Sequence, residues 1–210
     1  MAFGIQTIRR RTVLAMTLAL PLIGASMADA ATPAEGFISD NIQKGLGILN
    51  DPQLSATQRS RAFEQLLVGL TDMKRIAVFT LGQYARTAPQ ADQDAFAAAF
   101  QNYSVAVYRS YLGIYAGQTL KVTGSSARTS DDFIVNTVML DPKDRSGQPP
   151  LQVNFRVRTD GGRPELTDFS VAGIWLALSQ RDQFGAFLAQ NKGDVKALTA
   201  HLEQVAAGYH

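Results

Sequence analysis

The spacing of apolar residues in this chain changes at Gly117. Before it they recur every three or four positions, the period of a helix face. After it they recur every second position, the period of a strand with one buried side. Beyond Leu178 the helical spacing returns. Strands grouped between two sets of helices do not make an alternating parallel sheet. They predict an α+β fold, one antiparallel sheet with helices packed on a face.

The helical half opens with Phe37 to Leu49 and breaks near Asn50-Asp51-Pro52. Ser55 and Gln58 match a capping box, in which Ser55 caps a helix and Gln58 reaches back to it. Phe63, Leu66, Leu67 and Leu70 then fall on one face. A third helix restarts at Thr71-Asp72, carries Met73, Ile76 and Phe79, and breaks near Gly82. The longest helix opens at Thr87-Ala88-Pro89-Gln90. Its stripe runs Phe96, Phe100, Tyr103, Val107, Tyr111 and Ile114, with Tyr108 and Tyr115 on a flanking face and Gly117 as the stop.

In the strand half, Leu120-Lys121-Val122 predicts a short strand and Phe133 to Leu140 a second. Leu151 to Arg158 alternates without a fault. Asp160-Gly161-Gly162 turns the chain, and Leu166 to Leu178 reads as the last and longest strand, with Gly173 marking a bulge that bends the sheet. Ser179 and Asp194 then cap two closing helices, whose inward residues include Phe184, Phe187 and Leu188, then Val195, Leu198, Leu202 and Val205.

The N-terminus has the layout of an export signal. The basic stretch Arg9-Arg10-Arg11 precedes an apolar run, and Ala28-Asp29-Ala30 has the small-x-small form of a cleavage site. The run is short, holds Pro21 and ends in small residues, which favours cleavage over a membrane anchor. Arg10-Arg11-Thr12-Val13-Leu14 also fits a twin-arginine pattern. Residues 1–30 are therefore expected to be removed, leaving residues 31–210 as one domain in the periplasm. Of 20 basic and 18 acidic residues, Arg9, Arg10, Arg11 and Asp29 go with the signal, so the remainder is neutral. A neutral chain has no general attraction for nucleic acid. It has no cysteine, so its core holds it without disulfides, and thiol chemistry is excluded.

The search for catalytic chemistry yields little. The two histidines are His201, on a terminal helix, and His210, the last residue. A triad or a metal site needs a histidine oriented by a second group. No nucleophile-elbow, zinc-protease, phosphate-loop or dinucleotide motif occurs. Asp131-Asp132, Asp141 and Asp144 belong to loops or strand ends, where carboxylates are ordinarily solvated. Asp168 differs, because it lies inside a predicted strand. Arg181 follows and is expected to form a structural ion pair with it.

The run Thr167-Asp168-Phe169-Ser170-Val171-Ala172-Gly173-Ile174-Trp175-Leu176, followed by Arg181 and Phe184, resembles a pattern of the MlaC-like periplasmic lipid carriers, the toluene-tolerance family of ABC-transporter auxiliary proteins. Leu81-Gly82-Gln83-Tyr84 is similar to that family's Leu-Gly-x-aromatic step. Gln93, Phe96, Phe100, Leu112 and Tyr115 are similar to its long-helix pattern. The resemblance spans about 36–205 and lies in the order and spacing of these residues. Pro164 stands where the family often has Trp, Ala172 where it has Glu, and Trp175 where it has a small residue. These departures mark a divergent subgroup, and a hopanoid or other polycyclic lipid stays open beside a phospholipid.

The resemblance implies an NTF2-like fold, a curved antiparallel sheet with helices over it forming an apolar cavity. It implies a non-enzymatic carrier without a cofactor or metal. Such a carrier shuttles phospholipid between an outer-membrane lipid complex and the substrate-binding ring of an inner-membrane ABC transporter. The inward faces supply the candidate lining: Phe63, Leu67 and Leu70 from the second helix and Ile76 from the third; Phe100, Tyr103, Val107 and Tyr111 from the longest; Val138, Phe155, Val171 and Ile174 from the strands. Periodicity does not separate a filled core from one that opens around an acyl chain. Two rivals follow. One is an enzyme using the same cavity with Asp168 as base, in which Asp168→Asn would destroy turnover. The other is an adaptor between envelope complexes with a close-packed core.

Overall fold

A computed structural model describes residues 31–112 and 115–209, without the side chains of Tyr111 and Leu112. The expected export signal, Ile114 and His210 lie outside the described residues, as does the side chain of Tyr111. No described helix is long and apolar enough to cross a membrane.

Four helices come first: α1 (Pro33–Asn50), α2 (Ala56–Gly69), α3 (Met73–Leu81) and, after a 3-10 turn at Gly82–Arg86, α4 (Gln90–Leu112). Their starts follow local chemistry. Thr32 Oγ1 accepts from the Glu35 N–H with Pro33 in the first turn, and Asp72 Oδ1 accepts from the Arg75 N–H. Both bonds of the Ser55/Gln58 capping box are present, at 3.3 and 2.9 Å. Gly82 ends α3 at φ 58°, and a Cβ there would meet Arg181 Nε at 3.2 Å, so the glycine serves both the backbone and the neighbouring side chain.

The strands form an antiparallel meander, β1 (Thr119–Thr129), β2 (Asp132–Leu140), β3 (Gln152–Arg158), β4 (Glu165–Val171) and β5 (Ile174–Trp175), in sequence order across the sheet. Register shifts interrupt β1 at Val122/Gly124 and Ala127/Thr129, and the β3–β4 pair at Arg156/Val157. Such bulges bend and twist a sheet, and this one is curved. Two closing helices follow, α5 (Leu176–Gln190) and α6 (Val195–Ala207), the latter capped by Asp194 as expected.

Three strand expectations are corrected. The longest strand is β1, whose polar second half was not anticipated. The run expected as one long strand to Leu178 is instead two short strands and the start of a helix. Gly173 is not a bulge but a turn residue. Ala172 and Gly173 have φ of 51° and 84°, and two successive positive φ values make the tight hairpin that joins β4 to β5. Helix α5 starts at Leu176, three residues before Ser179. Alanine is strained in that conformation where asparagine is tolerated. Ala172→Asn is expected to stabilise the chain by about 0.5–1 kcal/mol. Chemical denaturation checks this, and an unchanged or lowered midpoint would contradict the turn assignment.

The fully buried apolar residues gather in two separate clusters. In one, Ala34 and Ile38 of α1 press on Val135 and Val157 of the sheet. The other joins α3, α4, α5 and α6, centred on Phe96, Phe100 and Phe184. Phe184 meets the other two rings edge-on, at 5.9 and 6.4 Å between centroids.

Candidate functional site

Between the two clusters runs an apolar seam, several of whose members are only half buried. The strand register defines its floor. Val135, Phe155 and Phe169 lie side by side across β2, β3 and β4, and Thr137, Val153 and Val171 form the next row. Alternation puts both rows on the face that α1 covers at Val135. Thr137 and Val153 are buried there, and Phe155 also packs against the α1 cluster, but Phe155, Phe169 and Val171 each keep part of their surface. The Phe155 and Phe169 rings stack at 6.3 Å, and Tyr108 of α4 lies 6.0 Å from Phe169.

Helix α2 forms the outer wall. No α2 residue is fully buried, although its inward face carries Phe63, Leu66 and Leu67. Its Phe63 and Leu67 meet Val105 and Tyr108 of α4 across a slit holding about 10 Å³ of free space. That is room for about one water, and an acyl chain enters only if α2 and α4 part. The C-terminal end of α2 is tied to the sheet, because the Leu166 N–H donates to the Leu70 carbonyl at 2.8 Å. At the outer edge of the slit a wider groove of about 510 Å³ runs between α4 and α6. It is bordered by Asn102, Ser110, Ala206 and Tyr209 and shares Glu64, Val105 and Arg109 with the slit.

The candidate lining residues thus fall into several places. Phe63, Leu67, Phe155 and Val171 border the seam, and Leu70 sits at its end. Val107 is half buried on α4. Phe100 is 2% exposed and belongs to the packed helical cluster, against which Ile76 and Tyr103 also rest. Val138 pairs with Lys121 and Gln152, so alternation turns it to the opposite face of the sheet. Ile174 is 60% exposed at the hairpin, not inward. Tyr108, Val105 and Phe169 were missed as lining. Tyr108 was legible only as a flank of the α4 stripe, and its contact with Phe169 depends on how the helix is rotated over the sheet.

The expected Asp168–Arg181 pair does not form among the described residues. Asp168 Oδ1 accepts from the Phe169 N–H at 2.8 Å and from the Ala177 N–H at 2.9 Å, anchoring the first turn of α5 to β4. Burial pushes its carboxyl above the usual range, against the pull of those two N–H groups. Arg181 instead lies over the Phe79 ring, 5.2 Å from its centroid. The buried ion pair lies elsewhere on the sheet: Arg156 donates to both oxygens of Asp132, at 3.0 and 2.7 Å. That pairing holds the Asp132 carboxyl below its usual range. His201 stacks on Phe187 at 4.9 Å. No group of three or more potential metal-ligating side chains occurs among the described residues.

The fold is similar to that of a phospholipid-binding protein from Ralstonia solanacearum, solved in complex with a phospholipid. The TM-score is 0.72 at 20% identity, covering 86% of this chain and 99% of that one. Residues 39–204 match the family model described as MlaC protein, which is most of the chain and takes in the helical cluster, the seam and the β4–α5 junction. The chain belongs to the MlaC protein family.

Proposed function

We propose that this chain is a periplasmic lipid carrier that holds the acyl chains of a phospholipid in the seam between α2, α4 and the sheet. Residues 1–30 act as its export signal, and residues 31–210 form its single lipid-binding domain. The observation that carries the reading is the half-buried apolar seam, in a chain whose family match runs over residues 39–204. The phospholipid bound by the Ralstonia solanacearum protein of similar fold supports the cargo.

The physical need is simple. Two acyl chains carry roughly 28 methylenes, and at about 0.8 kcal/mol each, moving them through water costs on the order of 20 kcal/mol. A seam lined by Phe63, Leu67, Phe155, Phe169 and Val171 replaces that water with apolar contact. The task asks for no bond to be made or broken. The carrier takes lipid from an outer-membrane complex and meets the substrate-binding ring of an inner-membrane ABC transporter, or runs in reverse. Direction follows from the relative affinities at the two ends.

The test is native mass spectrometry of residues 31–210, purified from the periplasm without delipidation. A bound mass matching a diacyl phospholipid is expected. A hopanoid mass would change the cargo and keep the carrier. Bare protein, still bare after incubation with phospholipid vesicles, would overturn the reading. Val171→Asp, which places a charge on the seam floor, is expected to abolish the bound mass while α-helical circular dichroism persists. Lipid retained by that variant would remove the seam assignment.

A further inference from the structure

We propose that Arg109 recognises the phosphodiester of the lipid headgroup, and that Glu64 occupies its guanidinium while the site is empty. The inference rests on the carrier reading and deepens it.

Arg109 stands at a chemical border. On one side is the slit, with the apolar side chains of Phe63, Leu67 and Tyr108; on the other is the groove, with Asn102, Ser110 and Tyr209. Glu64, Val105 and Arg109 border both spaces. A lipid whose chains enter the slit must leave its phosphate at that border. A guanidinium donates to a phosphate in the same forked geometry that it offers a carboxylate, so a phosphodiester can take the place of Glu64.

The ion pair also bridges the slit. Among the described residues it is the one ion pair joining α2 to α4. The ends of α2 are secured separately. Arg59 donates to the Asp51 and Leu54 carbonyls at one end, and the Leu70 carbonyl accepts from Leu166 at the other. The middle of α2, which buries no residue fully, packs on α1 where Phe63 and Leu66 face Gly45, and rests against α4 through the slit residues and the Glu64–Arg109 contact. The pair is solvated, with side chains 30% and 51% exposed, so breaking it is cheap. An arriving phosphate thus frees the wall that must move before the chains can enter.

The test compares two fluorescent probes with identical acyl chains, phosphatidylglycerol and diacylglycerol, presented from nonionic detergent micelles to residues 31–210. Arg109→Ala is expected to weaken phosphatidylglycerol binding by about tenfold or more, the range of a lost charge-assisted hydrogen bond, and not to weaken diacylglycerol binding, since the same change also unties α2 from α4. Glu64→Gln is expected to tighten phosphatidylglycerol several-fold, a gain that a misfolded variant does not give. Equal losses for both probes in Arg109→Ala, or no gain in Glu64→Gln, would overturn the assignment. Displacement of the phospholipid probe by millimolar inorganic phosphate, as effective as by unlabelled phosphatidylglycerol, would make this an anion site and remove the headgroup role. Wild-type protein that takes up neither probe would end the carrier reading itself. Wild-type protein that binds both equally would end only the role of Arg109.

Discussion

Phe100→Ala is expected to lower the stability of the folded chain by about 3–5 kcal/mol and to leave lipid uptake intact in the molecules that remain folded. The ring is 2% exposed and fills the centre of the helical cluster. It meets Phe184 edge-on at 6.4 Å and lies tilted 6.1 Å from Phe96, so truncation removes both its transfer energy and two aromatic contacts. The surrounding helices α3, α5 and α6 are packed against one another and cannot collapse fully into the gap. In a chain of this size the loss corresponds to a fall in melting temperature on the order of 10 °C. Denaturant titration and lipid co-purification read the two arms. A cost under about 1 kcal/mol with lost lipid would place Phe100 on an open cavity wall.

Asp132→Ala is expected to cost about 2–4 kcal/mol. The Asp132 side chain is 8% exposed and takes a two-bond grip from Arg156, with Arg128 3.8 Å away. Without it, Arg156 loses its two-bond partner and keeps only the charge of Asp168, its neighbour on β4. The effect depends on pH. Asp132 has a lowered pKa in the fold, so its contribution is complete above the unfolded carboxylate range and is lost as pH falls through the lowered value. Asp168 runs the other way. Burial raises its pKa, so its contribution is complete below the unfolded range and is lost as pH rises through the raised value. The stability deficit of Asp132→Asn should therefore shrink toward acid, whereas that of Asp168→Asn should shrink as pH rises from acid toward neutral. Stability curves of both variants between acid and neutral pH check the two signs, and parallel curves would contradict them.

Much of the fold is legible in the sequence because the relevant forces are local. Ser55 with Gln58, Asp72 and Asp194 start helices through bonds to residues two or three positions on, and a cap search finds them. Helix α5 escapes such a search. Its first turn is anchored by Asp168, nine residues before Ala177 and across the hairpin, and folding alone brings the two together. The second half of β1 escapes for a related reason. Gly124 to Thr129 is polar and largely exposed, so no two-residue apolar period marks it, and pairing with β2 makes it a strand. At the site, periodicity finds the inward faces of α2 and β3 but does not decide which inward residues meet a packed cluster and which meet the seam. Phe100 and Phe63 look alike in a helical stripe. They part only when α5 arrives over one and not the other. Val138 is misplaced because both faces of its strand mix apolar and polar residues: Ile134, Val138 and Leu140 share one with Asp132 and Asn136, and Thr137 interrupts the other, so alternation does not single out the buried side.

The division of the interior into two clusters has a consequence for quality control. A hydrophobic interior is ordinarily complete when the chain has folded. Here the sheet with α1 and the bundle of α3 to α6 each close on themselves, and between them Phe63, Leu67, Phe155, Phe169 and Val171 are left partly exposed. Whatever fills it becomes the third part of one interior, and it favours the folded chain by mass action. For a carrier, an empty molecule and a loaded one then differ in durability as well as in content. Under the proposed function, proteases and heat act more readily on the empty molecule, and turnover spares the loaded one.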